Sequence, residues 1–122
     1  MNNQNAIEYI KNNSLIGIKA GNKRDSFLEI WMVIVDGRVF ARSWGLATRS
    51  WYNAFKEDNT GEILCGEAIH KIKAIVPDDI EALTKQINKA YLDKYDYGSN
   101  SYYANGIIEE KHAIKTMEFI IE

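Results

Sequence analysis

The chain contains 122 residues, of which 46% are hydrophobic and 26% are charged. This composition predicts one soluble domain over residues 1–122 and excludes a disordered or coiled-coil segment. The 15 Lys and Arg residues against 17 Asp and Glu residues give a formal net charge of −2, so we expect neither nucleic acid nor an acidic membrane as a partner.

The first predicted elements are a short helix and a strand. Asn5 is a suitable N-cap, with Glu8 at the third helical position, and the two residues together mark the start of a helix. Residues 15–20 then combine β-branched and small side chains before a glycine, which is typical of a strand.

The pair Asp36-Gly37 predicts a β-hairpin. It lies between two runs of apolar, β-branched and aromatic residues, 27–35 and 38–44, and it is the pair that best supplies the two positive φ angles of a type I′ turn. A two-residue loop also fixes the register of the two strands. The predicted cross-strand pairs are Val35 with Arg38, Val33 with Phe40, Trp31 with Arg42, and Glu29 with Trp44.

The two faces of this hairpin differ in character. One face holds bulky, aromatic and charged side chains: Glu29, Trp31, Val33, Phe40, Arg42 and Trp44. The other face is compact and mostly apolar: Ile30, Met32, Ile34, Val39, Ala41 and Ser43. We predict that the compact face lines the inside of a small barrel. The bulky face then lies outside it, under a helix, a partner subunit or a flat ligand.

A short helix is predicted directly after the hairpin. Thr48 can cap a helix over residues 49–56, in which Trp51, Tyr52 and Phe55 fall on one side. Large aromatic side chains of this kind either pack into the core or contact a ligand, and the sequence leaves both interpretations open.

The second half of the chain predicts a hairpin, a long helix and a last strand. The hairpin covers residues 62–76 and turns at Gly66 with type II′ geometry. A surface helix then runs from about residue 78 to residue 93 or 95. Residues 96–112 are predicted to be irregular, with tyrosines that form either a lid over a flat ligand or a loop held by its own side chains. Residues 113–121 form the last strand.

This order of elements predicts the fold class. A helix is followed by three strands, a short helix, two strands, a long helix and a strand. Six strands joined mainly by hairpins indicate an α+β, mainly β, protein. We expect a six-stranded antiparallel sheet that closes or nearly closes into a barrel, with a short helix after strand three and a long helix before the last strand.

Residues 40–55 hold the side chains most suited to binding. They include two arginines, two serines, two tryptophans and a tyrosine at a corner between a strand and a helix. The free N–H groups of a helix's first turn attract anions at such a corner. Lys23 and Arg24, in the turn after the first strand, can reach a phosphate bound there. The candidate cofactor-binding set is Lys23, Arg24, Arg42, Ser43, Ser50, Trp51 and Tyr52.

Some of these assignments have a purely structural alternative. Lys23 and Arg24 are also explained as solvated charges of a turn. Arg42 projects from the bulky face between Trp31 and Trp44, so it either binds a ligand or stacks on the indoles. A stack of that kind would stabilise the sheet by about 0.5–1 kcal/mol when exposed.

The sequence contains no recognisable catalytic or metal-binding arrangement. His70 and His112 are far apart, and no His-x-x-x-His, Cys-x-x-Cys or Gly-x-Ser-x-Gly spacing occurs. Cys65 lies in a predicted strand and is interpreted as a small buried hydrophobe. The lone cysteine, the absence of an opening leader and apolar runs far shorter than the ~20 residues of a membrane span predict a cytoplasmic protein.

Three segments of the chain resemble known families. The turn 22–26 (Asn-Lys-Arg-Asp-Ser), the strand 39–43 and the segment 50–55 (Ser-Trp-Tyr-Asn-Ala-Phe) resemble a domain-of-unknown-function family of small bacterial proteins. That family is similar to the deazaflavin-dependent nitroreductases and the FMN-binding split β-barrel proteins. In those enzymes a Gly-x-Arg-Ser-Gly-like turn precedes a strand pair, and a Ser-x-Gly-Gly segment leads into a helix that carries Trp-Tyr. Residues 22–26 correspond to the first motif, and residues 42–45 with 50–53 to the second.

The resemblance implies a cofactor and an assembly. It implies a split β-barrel that binds FMN or a deazaflavin on its outer face, with the phosphate held by the turn basics and the corner hydroxyls, and that forms a homodimer across the bulky face. The cofactor would supply the chemistry of a reductase, so the chain itself needs no catalytic residue. The alternative is a cofactor-free barrel that binds another ligand or a protein through the same aromatic face.

Overall fold

The computed structural model describes residues 4–21, 25–47 and 50–122. In these residues the helices are α1 (Gln4–Asn12), α2 (Trp51–Glu57), α3 (Ile80–Tyr95), α4 (Ser101–Ile107) and α5 (Glu110–Ala113), with a 3-10 turn at Gly98–Asn100. The strands are β1 (Ile16–Ala20), β2 (Leu28–Ile30), β3 (Val33–Val35), β4 (Arg38–Arg42), β5 (Thr60–Cys65), β6 (Ala68–Ile75) and β7 (Thr116–Ile121). No helix in these ranges is long and apolar enough to cross a bilayer.

The described strands form one antiparallel sheet that curls into a half-barrel. Their order is β2-β1-β5-β6-β7-β4-β3, so β2 and β3 lie at opposite edges. Only Trp31 and Met32 separate these two edge strands along the chain, and a connection of that length spans about 10 Å. The sheet must therefore curl until its edges approach each other. This confirms a mainly antiparallel sheet within an α+β fold, curled into a half-barrel.

The prediction of six strands is wrong, because the predicted strand 27–35 is broken into β2 and β3. At the break the main-chain N–H of Met32 donates to the hydroxyl of Tyr95 at 3.0 Å, and its carbonyl accepts from the ammonium of Lys94 at 2.7 Å. Side chains of α3 thus replace the ladder partners that Met32 would have in an unbroken strand. Released from β4, β2 pairs with β1 instead.

The break also divides the predicted hairpin register. Val35 pairs with Arg38 and Val33 with Phe40, as predicted. The predicted pairs of Trp31 with Arg42 and of Glu29 with Trp44 are wrong, because β3 begins at Val33 and Glu29 lies opposite Gly17 of β1. The turn itself has the predicted geometry, with φ angles of 52° at Asp36 and 76° at Gly37.

Two cores lie on opposite faces of the sheet, as the two faces of the hairpin predicted. The inner core is the buried cluster that includes Met32, Val39 and Ala41 together with the aromatic side chains of α2. The outer core is the buried cluster in which Val33 and Phe40 pack against α3 and α4: Leu83, Ile87, Tyr91, Tyr95, Ala104 and Ile107. The bulky face of the hairpin is therefore covered largely by α3.

The segment predicted to be irregular contains two short helices, α4 and α5. The irregular segment was predicted because Gly, Asn and Tyr have modest helix propensity. The prediction was wrong because tertiary packing decides the conformation here. Ala104 and Ile107 are spaced for one helix face, and both are buried in the outer core. Because α5 occupies Glu110–Ala113, the last strand begins at Thr116 instead of residue 113.

Candidate functional site

A cleft of about 570 Å³ opens beside the break between β2 and β3. Its walls come from the β2 edge, from the loop after β4, from the start of α2 and from α4. The chain has three tryptophans, and all of them line this cleft: Trp31, Trp44 and Trp51. The other lining residues that matter for recognition are Glu29, Arg42, Ser43, Ser50 and Tyr103.

The indole of Trp31 is held by a ring stack behind it. It lies 4.1 Å from the ring of Tyr95, with an angle of 8° between the two planes. Tyr95 is fully buried, and its hydroxyl accepts from Met32 and donates to the carbonyl of Ser14 at 2.7 Å. Since Tyr95 covers one face of the Trp31 indole, the part of the indole that lines the cleft is the opposite face or the edge. The strand break therefore positions an aromatic wall.

Trp44 forms a second aromatic wall with the same design. Its indole stacks on the imidazole of His112 at 4.6 Å and 7°, and the ring of Tyr103 meets it edge-on at 5.2 Å. The Nδ1 atom of His112 lies 2.9 Å from the carbonyl oxygen of Ser43. A carbonyl can only accept, so Nδ1 carries the hydrogen. The imidazole is thereby fixed behind Trp44. Trp44 itself is 42% exposed.

Arg42 is the only arginine or lysine among the described residues that line the cleft, and it is only 3% exposed. Its side chain is held by four neutral oxygens, at distances of 2.5 to 3.4 Å: Asn88 Oδ1, Thr116 Oγ1 and the carbonyls of Ile107 and Thr84. Its guanidinium carbon also lies 5.8 Å from the ring centre of Tyr91. Burial lowers the pKa of Arg42 because the charged form loses its hydration.

One of the N–H groups at the predicted anion seat, the tip of α2, is bonded to the chain itself. The hydroxyl of Ser50 accepts from the main-chain N–H of Asn53 at 3.3 Å, which caps the helix. The hydroxyl of Ser43 donates to the carbonyl of Gly45. The prediction of Thr48 as the N-cap, a residue outside the described ranges, is wrong: the cap is Ser50, and α2 begins at Trp51. Among the described residues that line the cleft, Arg42 is the cationic side chain that can attract an anion to this corner.

The structure brings four residues of the predicted set together in the cleft: Arg42, Ser43, Ser50 and Trp51. Tyr52 is 4% exposed and packs in the inner core with Phe55, so for Tyr52 the core interpretation accounts for the position. Trp51 belongs to both environments, because it lines the cleft and is also part of the inner core. Lys23 and Arg24 lie outside the described residues.

Several cleft residues were missed by the sequence analysis. Trp31 and Trp44 were assigned to the bulky face but not to the site, although they shared that face with Arg42. Tyr95 and His112, which back the two indoles, are distant in sequence and carried no local signal. The signal that could have found this wall was the group of tyrosines in residues 96–112, of which Tyr103 lines the cleft.

The family model for "Uncharacterized protein conserved in bacteria (DUF2255)" matches residues 7–119. The chain belongs to this family. The matched range contains every residue that lines the cleft, so the cleft lies within the family domain. The resemblance to a bacterial domain-of-unknown-function family is thereby confirmed, whereas its similarity to nitroreductases stays a prediction.

A solved structure shares the fold. "Conserved hypothetical protein Rv2991" from Mycobacterium tuberculosis is similar to this chain with a TM-score of 0.61 and 10% sequence identity, over 100% of this chain and 80% of that chain. At this identity the likeness shows the fold alone. No curated protein matches the sequence.

The described part of the family domain offers no cluster of metal ligands. No group of three or more His, Cys, Asp or Glu side chains there could hold a metal ion. Cys65 is buried, and burial raises the pKa of its thiol to about 11, which disfavours the reactive thiolate at neutral pH. The cleft combines stacked aromatic walls with one buried cation, which is an arrangement suited to binding a planar ligand.

Proposed function

We propose that this protein binds a flat heterocycle of the flavin or deazaflavin class in the cleft, and that its half-barrel is of the split-barrel type that carries FMN. The observation that supports the proposal most directly is the pair of backed indoles, Trp31 on Tyr95 and Trp44 on His112. Aromatic side chains fixed in this way stack on a planar ligand with little loss of conformational freedom.

The size and polarity of the cleft support the same ligand class. A volume of about 570 Å³ lies inside the range of about 300–1,000 Å³ that is usual for cofactor and small-molecule sites. The walls are mostly apolar, with Arg42 and Ser43 as polar groups at buried positions. This is the arrangement that orients a heterocycle through a few polar contacts.

In a reductase of this kind, the cofactor and the residues of the cleft would have different roles. When bound, the flavin or deazaflavin supplies the redox chemistry. Trp31 and Trp44 would hold the ring system, and Arg42 would bond to an oxygen or nitrogen on its rim. The exposed ring of Tyr103, at the edge of Trp44, would limit the access of water from that side.

The proposal is tested by titrating the purified protein with FMN and, separately, with a deazaflavin, while the NMR signals of the three indole N–H groups are recorded. We expect saturable binding of at least one of them. Trp44→Ala should weaken it by tenfold or more, because stacking on an aromatic side chain contributes about 1–3 kcal/mol per ring. Tyr97→Ala is the matched control, since Tyr97 is 56% exposed and does not line the cleft. Absence of binding to both molecules at millimolar concentration contradicts the proposal.

A second candidate, a cofactor-free barrel that binds a protein through its aromatic face, has its own supporting observation. Large hydrophobic side chains around the cleft are unusually exposed: Leu15, Leu28, Trp44, Leu46 and Tyr102, at 42% to 75%. Apolar patches of this kind often mark interaction sites. Failure to bind flavins together with concentration-dependent self-association, weakened by Leu46→Asp, would favour this candidate, with a homodimer as its simplest form.

A further inference from the structure

We infer that the ligand of the cleft is an aromatic anion, whose carboxylate, phosphate or ring oxygen pairs with Arg42. This inference rests on the proposed function, because it concerns the charge of the flat ligand that the tryptophans would hold. It extends that proposal from a shape to a chemical class, and it makes Arg42 the residue that selects for charge.

The argument begins with the missing counter-charge. Buried arginines are usually paired with a carboxylate, because an isolated buried charge is costly. In residues 4–21, 25–47 and 50–122, Arg42 makes no ion pair with Asp or Glu. Its acceptors there are an amide, a hydroxyl and two main-chain carbonyls. The described residues hold the cation in place but supply no carboxylate to compensate its charge.

Arg38 shows that the same strand can supply such pairing. It lies four residues earlier, on the same face of β4. Its guanidinium bonds to both carboxylate oxygens of Glu118, at 2.9 and 3.0 Å, and to both oxygens of Asp79, at 2.8 and 3.1 Å. Arg42 is the more buried of the two arginines and nevertheless has no carboxylate partner.

The guanidinium of Arg42 also has an N–H group that could donate to a ligand. A guanidinium has five N–H groups. The contacts of Arg42 use one on Nε, two on Nη1 and one on Nη2, so one N–H of Nη2 has no described acceptor. Because the other four bonds come from α3, α4 and β7, the side chain is already in place before a ligand arrives. Such preorganisation reduces the entropic cost of binding.

The distribution of charge within the cleft gives the ligand a direction. Glu29 also lines the cleft, but from the exposed edge strand β2, whereas Arg42 lies on the buried side. An anionic group is repelled by the exposed Glu29 and attracted by the buried Arg42, around which water is scarce and Coulombic attraction is stronger. The aromatic part of the ligand is then left between Trp31 and Trp44.

The test uses two probes of the same shape, the anion 2-naphthoate and its neutral isosteric amide, 2-naphthamide. Each is titrated into the full chain while the three indole N–H signals are recorded. We expect the carboxylate to bind at least tenfold more tightly than the amide. Equal affinities would overturn the inference but leave the proposed function standing. If neither probe binds and FMN and the deazaflavin also fail, both proposals are overturned.

A substitution in α3 tests whether Arg42 is the source of this preference. Asn88→Asp places a carboxylate where the amide oxygen of Asn88 already accepts from Arg42, so it supplies the missing counter-charge without a change of shape. We expect the preference for naphthoate to fall below threefold and the melting temperature not to fall. Gln86→Glu adds the same charge on an exposed position of α3 and should retain the tenfold preference. A preference that persists in folded Asn88→Asp would overturn the inference.

Discussion

The two ends of strand β4 carry the same residue in opposite electrostatic settings. At one end Arg38 is paired with two carboxylates, and these hydrogen bonds raise its pKa well above its usual value. At the other end Arg42 is surrounded by neutral acceptors, and burial lowers its pKa. A paired end of this kind is complete within the chain. At the other end, next to the aromatic cleft, the described residues supply no carboxylate, and the proposed ligand would be the missing partner of Arg42.

This difference also separates what stabilises the fold from what serves binding. Arg38 joins β4 to β7 through Glu118 and to the start of α3 through Asp79. Arg42 joins the same helix and strand to α4, but its bonds go to neutral groups, each contributing less than a bond between two charged groups. The comparison predicts that substitutions at the two ends affect different measurements.

The largest effect is expected at the paired end. Glu118→Gln should lower the free energy of unfolding by about 2–3 kcal/mol, as expected for hydrogen bonds to charged groups, because the side chain of Glu118 is 7% exposed while Arg38, at 34%, keeps its bonds to Asp79. Urea denaturation measures this loss. Lys89→Gln is the control, since its pair with Asp93 is exposed at 77% and 63% and should contribute about 0.5 kcal/mol or less. Similar losses in both variants would remove the distinction between a paired end and an ordinary surface.

An alkaline titration probes the unpaired end. Tyr91 is fully buried and its hydroxyl accepts from the main-chain N–H of Arg42 at 2.8 Å. Burial raises the pKa of Tyr91 to about 12, above the value of about 10 in an unfolded chain. A raised pKa in the folded state means that the contribution is complete below pH 10 and is lost as the pH rises to 12. We expect this residue to account for about 2 kcal/mol of that loss.

The contribution of Tyr91 is isolated by comparison with Tyr91→Phe. Burial also raises the pKa values of Tyr52 and Tyr95, so the unmodified protein loses stability through several tyrosines at once. Tyr91→Phe should be less stable at pH 7 by about 1–2 kcal/mol, because the N–H of Arg42 loses its acceptor. Its unfolding free energy should then fall less steeply between pH 10 and 12. Parallel curves for the two proteins would contradict the assignment.

The local features of the fold could be predicted because local chemistry determines them. The turn at Asp36-Gly37 follows from the two residues that tolerate positive φ angles, and the faces of the hairpin follow from alternation along the strand. The break at Met32 could not be predicted in this way. It depends on Lys94 and Tyr95, 62 and 63 residues further along the chain, and an uninterrupted apolar run gives no sign of it.

The lining of the cleft was predictable to the same extent. Arg42, Ser43, Ser50 and Trp51 were predicted to lie together because they are close in sequence and are of types that bind ligands, and all four line the cleft; their role in binding stays a prediction. The stacks behind Trp31 and Trp44 are made by residues from other elements, and the sequence could not show which aromatic ring would meet which. The same limit hid the neutral surroundings of Arg42, since these depend on where α3, α4 and β7 pack.

The smallest effect on stability is expected from Gly106→Ala in α4, a substitution that tests the cleft beside the unpaired end of β4. A Cβ atom at position 106 would lie 2.7 and 2.8 Å from two carbons of the Trp44 indole, so the indole must move, and its exposed position allows this. The gain in helix propensity, about 1 kcal/mol, offsets part of the strain, and the unfolding free energy should change by less than about 1 kcal/mol. The indole N–H signal of Trp44 should shift, and the affinity for FMN should change severalfold. Asn105→Ala, on an exposed position of the same helix, should leave both unchanged. If Gly106→Ala moves the indole without any effect on ligand affinity, Trp44 is not a wall of the binding site, and the contrast between the two ends of β4 would reduce to their arginines alone.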